Sequence, residues 1–194
     1  SDAASGITVD ISTDDSYISI TSGSASTDYI APNGTAMVSG LAFDVAGNVP
    51  NDHNFELNCA ITSGNDTWES ILNFTAYAPV LDVTLVVGDL DPGSTTDMSV
   101  DMINNGGTQI IYPVASVTGD SYITINNASF SNAYSVEVGM EATLYMNVTV
   151  SPAAPIGHLA EFTLTVLSEL GDGPAAMASF SVPIGQVTAN FEAG

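Results

Sequence analysis

Asp15-Ser16-Tyr17-Ile18-Ser19-Ile20 returns 105 residues later as Asp120-Ser121-Tyr122-Ile123-Thr124-Ile125. The same offset carries Tyr29 onto Tyr134, Gly34 onto Gly139, Val45 onto Val150, Pro50 onto Pro155, His53 onto His158 and Glu56 onto Glu161. One offset held from Asp15 to Glu56 means that a single domain type is written twice. The end of the repeated stretch, Ile18-Ser19-Ile20 and Ile123-Thr124-Ile125, alternates apolar and polar residues, which is the period of a half-buried strand and not of a helix.

Working outward from it, every segment reads as strand or turn. Ile7-Thr8-Val9-Asp10-Ile11 alternates, and an acidic turn at Asp14-Asp15 leads into Tyr17 to Ile20. Pro32-Asn33-Gly34 is a turn, since Pro presets φ and Asn-Gly tolerates positive φ. A strand is expected from Ala36-Met37-Val38 through Leu41 to Val45, another from Phe55 to Ile61, and a closing one from Trp68 to Tyr77 with Ile71, Phe74 and Tyr77 as core candidates. In the second copy Val80 to Val87 and Thr96 to Met102 come first, and the repeat runs in register from Val114. The later strands are expected at Met140–Val150, Phe162–Leu167 and Ala176–Ile184, with Gly171-Asp172-Gly173-Pro174 as a hairpin loop. Short strands at this spacing define an all-β chain of two tandem immunoglobulin-like β-sandwiches. Their expected limits are 1–78 and 79–185, with 186–194 as a tail or the start of a next module.

The two copies are unequal. Two strands precede Val114, whereas eight residues precede its counterpart Val9. The first sandwich therefore lacks its N-terminal strands, and such a gap leaves apolar face and strand edge to be covered. Equivalent buried sites are expected for Ile18 and Ile123, Ile20 and Ile125, Leu57 and Phe162, Cys59 and Leu164, and Ile61 and Val166.

Composition restricts what the chain can bind. Its 194 residues contain 22 Asp plus Glu and no Lys or Arg, for a net charge of −22. Basic residues ordinarily supply about half of the roughly 25% charged fraction. Without them there is nothing to hold nucleic-acid phosphate, and an anionic membrane surface repels the chain. No intrachain Lys or Arg salt bridge can form, so each carboxylate is expected in water, on backbone N–H groups or on a metal. Proteases that cut after Lys or Arg find no site. Two explanations stand for that: selection for resistance outside the cell, or a piece left by cleavage at basic residues. Hydrophobic content of 45% supports real cores. No apolar run approaches the roughly 18 residues of a membrane span, and no signal peptide is evident, so the chain as given reads as soluble.

The run of signals Leu90-Asp91-Pro92-Gly93, Asn105-Gly106-Gly107, Asp120 to Ile125, Pro155-Ile156-Gly157-His158 and Glu161 to Val166 resembles the immunoglobulin-like repeats C-terminal to the catalytic domain of gingipain-type secreted cysteine peptidases and related large cell-surface proteins. Asn190-Phe191-Glu192-Ala193-Gly194 resembles the start of the jelly-roll module that follows such repeats. The resemblance covers nearly the whole chain, and the peptidase nucleophile and its His are not matched. It implies a spacer or adhesive module of an extracellular or cell-surface multi-domain parent.

Chemistry-bearing residues are few. Cys59 is alone and in phase with Leu57 and Ile61, which makes it a small buried hydrophobe. His53 and His158 share one repeat position, pointing to a structural role such as bonding a turn carbonyl. Asp89, Asp91 and Asp97 cluster around a turn and are calcium candidates, because Ca²⁺ takes hard carboxylate oxygens. The resembling repeats often carry a longer Asp/Asn/Gly loop at this point. Asn33, Asn65, Asn73, Asn127 and Asn147 open Asn-x-Ser/Thr triplets, of which Asn33 and Asn65 fall on turns.

Three classes of function fit these residues. One is a non-catalytic structural or adhesion module, partnered by neighbouring domains of a parent protein. Another is a subunit of a self-assembling filament or surface layer, a homo-oligomer built by strand complementation in which Gln186 to Phe191 completes a neighbour. The third is a calcium- or glycan-binding module using the acidic turn and the aromatic candidates Trp68, Tyr112 and Tyr134.

Overall fold

The computed structural model describes residues 2–131, 134–169 and 175–185. All regular structure in them is strand, and no helix is long and apolar enough to cross a membrane. The chain divides into two compact units, Ser1–Tyr77 and Ala78–Gly194. The first contains β1 (Ala4–Ser12), β2 (Ile18–Ser22), β3 (Ser24–Ile30), β4 (Ala42–Val45), β5 (His53–Ser63) and β6 (Asp66–Ala76). The second contains β7 (Leu81–Val87), β8 (Thr95–Asn104), β9 (Ile110–Ile111), β10 (Pro113–Gly119), β11 (Ile123–Phe130), β12 (Ser135–Val136), β13 (Glu141–Val150), β14 (Leu159–Ser168) and β15 (Ala176–Pro183).

In the second unit a four-stranded sheet of order β11-β13-β8-β7 and a three-stranded sheet of order β10-β14-β15 form the two layers. Taken in chain order, these strands occupy the A, B, E, D and C, F, G positions of a constant-type immunoglobulin sandwich. Alternation explains why they pack. β8 buries Met98, Val100 and Met102, β13 buries Leu144, Met146 and Val148, and β14 buries Phe162, Leu164 and Val166 in one cluster. Asn104 ends β8 with no solvent exposure, yet its polar atoms are all used. Its amide donates to Thr108 O at 2.9 Å and Val136 O at 3.2 Å, and its carbonyl accepts the N–H of Val80 and of Gly106. This one side chain holds the Asn-Asn-Gly-Gly turn against its surroundings.

In the first unit the sheet β3-β1-β5-β6 stands with a two-stranded pair, β2-β4. The repeat maps β1, β5 and β6 onto β10, β14 and β15, and maps β2 and β4 onto β11 and the end of β13. At the 105-residue offset the counterparts of β7 and β8 would fall ahead of residue 1, so the described residues of the first unit contain no strand at those two positions. β3 also departs from the repeat: its residues pair with β1, from Ala4 opposite Ile30 to Asp10 opposite Ser24. Their counterparts in β11 pair with β13, up to Phe130 opposite Leu144. The β5–β6 hairpin turns at Gly64-Asn65, between the paired residues Ser63 and Asp66. Gly64 has φ +62°, the glycine-first arrangement of a two-residue hairpin.

Several expectations change here. The strand expected from Ala36 is reduced to Ala42–Val45: these residues keep β2 on one edge, whereas the residues that would flank 39–41 as Ser129 and Phe130 flank β13, Ser24 and Ala25, pair with β1 instead, and no described strand takes the place of β8. Ile71, Phe74 and Tyr77 are exposed and are not core. Ile71 lies opposite Asn58, on the face of β5 away from Leu57, while Leu72 lies opposite Leu57. The paired core sites hold for Ile18 and Ile123, Leu57 and Phe162, and Cys59 and Leu164, all buried. Ile20 and Ile125 are both half-buried, and Ile61 is half-buried where Val166 is fully buried. The loop 171–174 and the tail 186–194 lie outside the described residues.

Candidate functional site

The repeated Asp-Ser-Tyr-Ile turn and the repeated His meet in both units. In the first, Asp15 sits between β1 and β2, and His53 opens β5. His53 Nε2 lies 2.8 Å from Asp15 Oδ2, the Tyr17 N–H donates to Asp15 Oδ1 at 2.9 Å, and the Tyr17 ring meets the imidazole edge-on with centroids 4.9 Å apart. In the second, His158 Nε2 lies 2.7 Å from Asp120 Oδ2, the Tyr122 N–H donates to Asp120 Oδ1 at 2.9 Å, and the centroids are 5.0 Å apart. Each clip ties the crossing between sheets to the start of the strand that carries the buried Leu57 or Phe162. The partner of each His is thus a carboxylate rather than a turn carbonyl.

Both carboxyls titrate below the ordinary Asp value. For Asp15 the Tyr17 N–H bond does most of this, against some desolvation, and the His53 bond and charge add to it. For Asp120 desolvation pushes upward and is outweighed by the His158 bond and the N–H groups of Tyr122 and Glu161. Cys59 is buried on β5, six residues past His53, or about 20 Å along a strand. The Cys and His therefore do not form a nucleophile pair.

Other carboxylates find neutral side-chain donors, a means absent from the sequence reading. Asn147 Nδ2 donates to Asp97 at 2.6 Å, Asn105 Nδ2 to Asp82 at 2.7 Å, and the Thr143 hydroxyl to Asp101 at 2.7 Å. Asp89 and Asp91 lie exposed between β7 and β8, and Asp97 lies exposed on β8. Among the described residues no three His, Cys, Asp or Glu side chains form a group able to hold a metal. Tyr112 and Tyr134 come together, exposed, with centroids 6.4 Å apart, while Trp68 is in the other unit.

The largest departure from a closed sandwich is the inner face of the first unit. Register places Trp68, Leu72 and Phe74 of β6 on the same face as Ile61, Leu57 and Phe55 of β5. Phe55 stacks on Phe74, and Phe43 meets both edge-on at 5.6 and 5.7 Å. Beyond that aromatic cluster the face is open: Trp68 is 52% and Leu72 41% exposed. Val45 is 42% exposed where its counterpart Val150 is 0%, and Met37 is 90% exposed where Ala142 is buried. The open face was legible as a missing pair of strands, but not as these residues.

The units define a class, tandem immunoglobulin-like β-sandwiches with the first one open. No family model matches the chain, and no curated protein matches it. Among solved structures it is similar to the cadherin-like domains 1 to 4 of zebrafish RET, at 12% identity over 94% of this chain and TM-score 0.30. It spans 42% of that chain, less than half of its length. It is also similar to domains 4 and 5 of the S-layer protein SbsC, at 14% identity over 97% of this chain and all of that one, TM-score 0.26. A longer SbsC structure, domains 1–6, gives 14% identity over 98% of this chain and 29% of that one, TM-score 0.25. At such scores the class rests on the strand order and register described above.

Proposed function

We propose that this chain is a non-catalytic extracellular structural or adhesion module, one part of a secreted or cell-surface multi-domain protein of the kind that carries immunoglobulin-like repeats after a gingipain-type peptidase. The observation that carries the reading is the twice-built clip. Both histidines of the chain serve the same architectural contact, and its one cysteine packs in a sheet. The absence of Lys and Arg supports exposure to proteases that cut after basic residues. Immunogold labelling of intact source cells tests the placement: label on unpermeabilised cells is expected, and label only after permeabilisation would refute it.

A second reading, a subunit of a self-assembling filament or surface layer, is favoured by the open face of the first unit. An apolar sheet face beside an unpaired strand edge is a template for another polypeptide. Electron microscopy of the purified chain at rising concentration checks it. Ordered filaments or lattices are the expected outcome, and dispersed single particles at every concentration would count against it.

A further inference from the structure

We propose that the outer face of β1, β5 and β6 in the first unit is a docking groove for an extended basic segment of a partner protein, with Ala60 as its floor and the carboxylates of Asp10 and Glu69 on either side. The inference rests on the adhesion reading above and names the partner that such a module holds.

Alternation separates this face from the core. Phe55, Leu57 and Cys59 are buried on one side of β5, so Glu56, Asn58 and Ala60 lie on the other. Register lays their neighbours across in rows: Asp10, Ala60 and Glu69, then Ser12, Asn58 and Ile71, then Glu56 with Asn73. Two hollows open along these rows. One, of about 580 Å³, is lined by Asp10, Ser12, Ala60, Glu69 and Ile71. The other, of about 570 Å³, is lined by Asp14, Glu56, Asn73 and Thr75. Asn58 lines both, so they adjoin as one groove along β5. From Asn54 to Ala60 the groove follows about 20 Å of strand, room for about six extended residues.

Charge selects the occupant. The side chains of Asp10, Asp14, Glu56 and Glu69 have no hydrogen-bonded or ionic partner among the described residues. Asp15, which also lines the groove, is held in the His53 clip. No three of these carboxylates gather as a metal requires. A second copy of the chain brings no Lys or Arg, so the cations come from a different sequence. Neighbouring strands lie about 4.8 Å apart, which sets Asp10 and Glu69 about 10 Å apart across Ala60. A guanidinium or ammonium above Ala60 reaches both. Glu56 lies four residues along β5, about 13 Å away, the spacing of residues i and i+4 in an extended chain. Exposed ion pairs contribute little singly, so recognition calls for two cations at that spacing. Ile71, in the row between them and 55% exposed, meets an apolar side chain at i+2.

The second unit provides an internal comparison. β10, β14 and β15 pair as β1, β5 and β6 do, which sets Ser116, Thr165 and Met177 where Asp10, Ala60 and Glu69 stand. Glu161 keeps the place of Glu56, and the repeat puts Gly119 in the place of Asp14. The hollow on that face is about 330 Å³. The same sheet thus folds without the three added carboxylates, and only the first copy has them beside a small floor residue.

The test uses the full chain and a fluorescein-labelled peptide of about nine residues, threonine and valine with two arginines four positions apart and a valine midway. Fluorescence anisotropy at low salt should show saturable binding that raised salt weakens. Glu69→Gln or Asp10→Asn should weaken it at least about threefold, and the two together at least about tenfold. Asp44→Asn with Glu141→Gln removes the same charge from exposed positions outside the groove and should leave the affinity unchanged. Ala60→Arg should abolish binding by placing the chain's own cation between Asp10 and Glu69. A peptide of the same composition with its arginines adjacent should bind more weakly. Equal losses in the groove pair and the outside pair would make the attraction a property of net charge and overturn the groove. So would full binding by Ala60→Arg, equal affinity for the two peptides, or no saturable binding at any salt. Calcium or cellohexaose bound in a Glu69-dependent manner while the peptide is not would overturn it too, in favour of a metal or glycan site. Peptide binding without surface label on intact cells removes the cellular placement and leaves the groove; surface label without peptide binding removes the groove alone.

Discussion

Asp15 and Asp120 show how a chain without Lys or Arg makes use of a carboxylate. Each accepts a backbone N–H and the imidazole of a distant His, and each is held below its ordinary pKa. A carboxyl whose native value lies below the unfolded value of about 3.9 binds protons more weakly in the native state. Its contribution to stability is therefore complete above that unfolded value and is lost as pH falls through the native one. Urea unfolding of the parent and of Asp120→Asn between pH 5.5 and 2.5 should show the parent losing more of its midpoint, and parallel curves would remove the clip from the account. His158→Ala should lower the stability of the second unit by about 1 kcal/mol, the scale of a partly exposed charge pair. Leu164, fully buried on β14, is a different case. Leu164→Ala should cost about 2–5 kcal/mol in chemical denaturation through lost burial and the cavity left behind. Its counterpart Cys59 should resist alkylation until the first unit unfolds.

At the scale of elements, one segment type has two outcomes. Residues 141–150 form β13 because β11 and β8 pair with its two edges. Their counterparts 36–45 keep only the last four as strand, because those four have β2 on one edge while 36–41 have no strand on either. Hydrogen exchange on the monomeric chain should show 141–150 protected and 36–41 exchanging at least about a hundredfold faster, since exchange follows local opening free energy. Equal protection would mean that the first unit closes its face in some other way. Asn104 anchors the turn after β8 with four hydrogen bonds at no solvent exposure. Asn104→Ala should cost about 3 kcal/mol, because the buried N–H and C=O groups of Val80, Gly106, Thr108 and Val136 lose partners. Thermal unfolding of that variant gives the value.

For the molecule as a whole, −22 on 194 residues is repulsion without any internal counter-charge from Lys or Arg. Raising salt from low to physiological strength should raise the melting temperature, since screening shortens the range of that repulsion to about 8 Å. A melting temperature independent of salt would show that neutral donors such as Asn147, Asn105 and Thr143 already offset it locally. The two units should also melt separately in calorimetry. The second has two complete layers, whereas the first presents Trp68 and Leu72 to water.

Strand alternation and the 105-residue repeat by themselves determined an all-β chain of tandem immunoglobulin-like sandwiches. Both are local signals: side-chain direction alternates along a strand, and a repeated sequence repeats its fold. The repeat also singled out the two histidines, but the carboxylate that each one meets lies 38 residues away, and only the folded chain brings them together. Where a strand is helped or abandoned by its neighbours, the sequence was silent. Residues 36–41 are apolar enough to suggest a strand, yet a strand needs a partner edge for its N–H and C=O groups, and partnership is a tertiary property. The same holds for Ile71 and Leu72, adjacent apolar residues on opposite faces of β6. Which of them faces the core was decided by the register with β5.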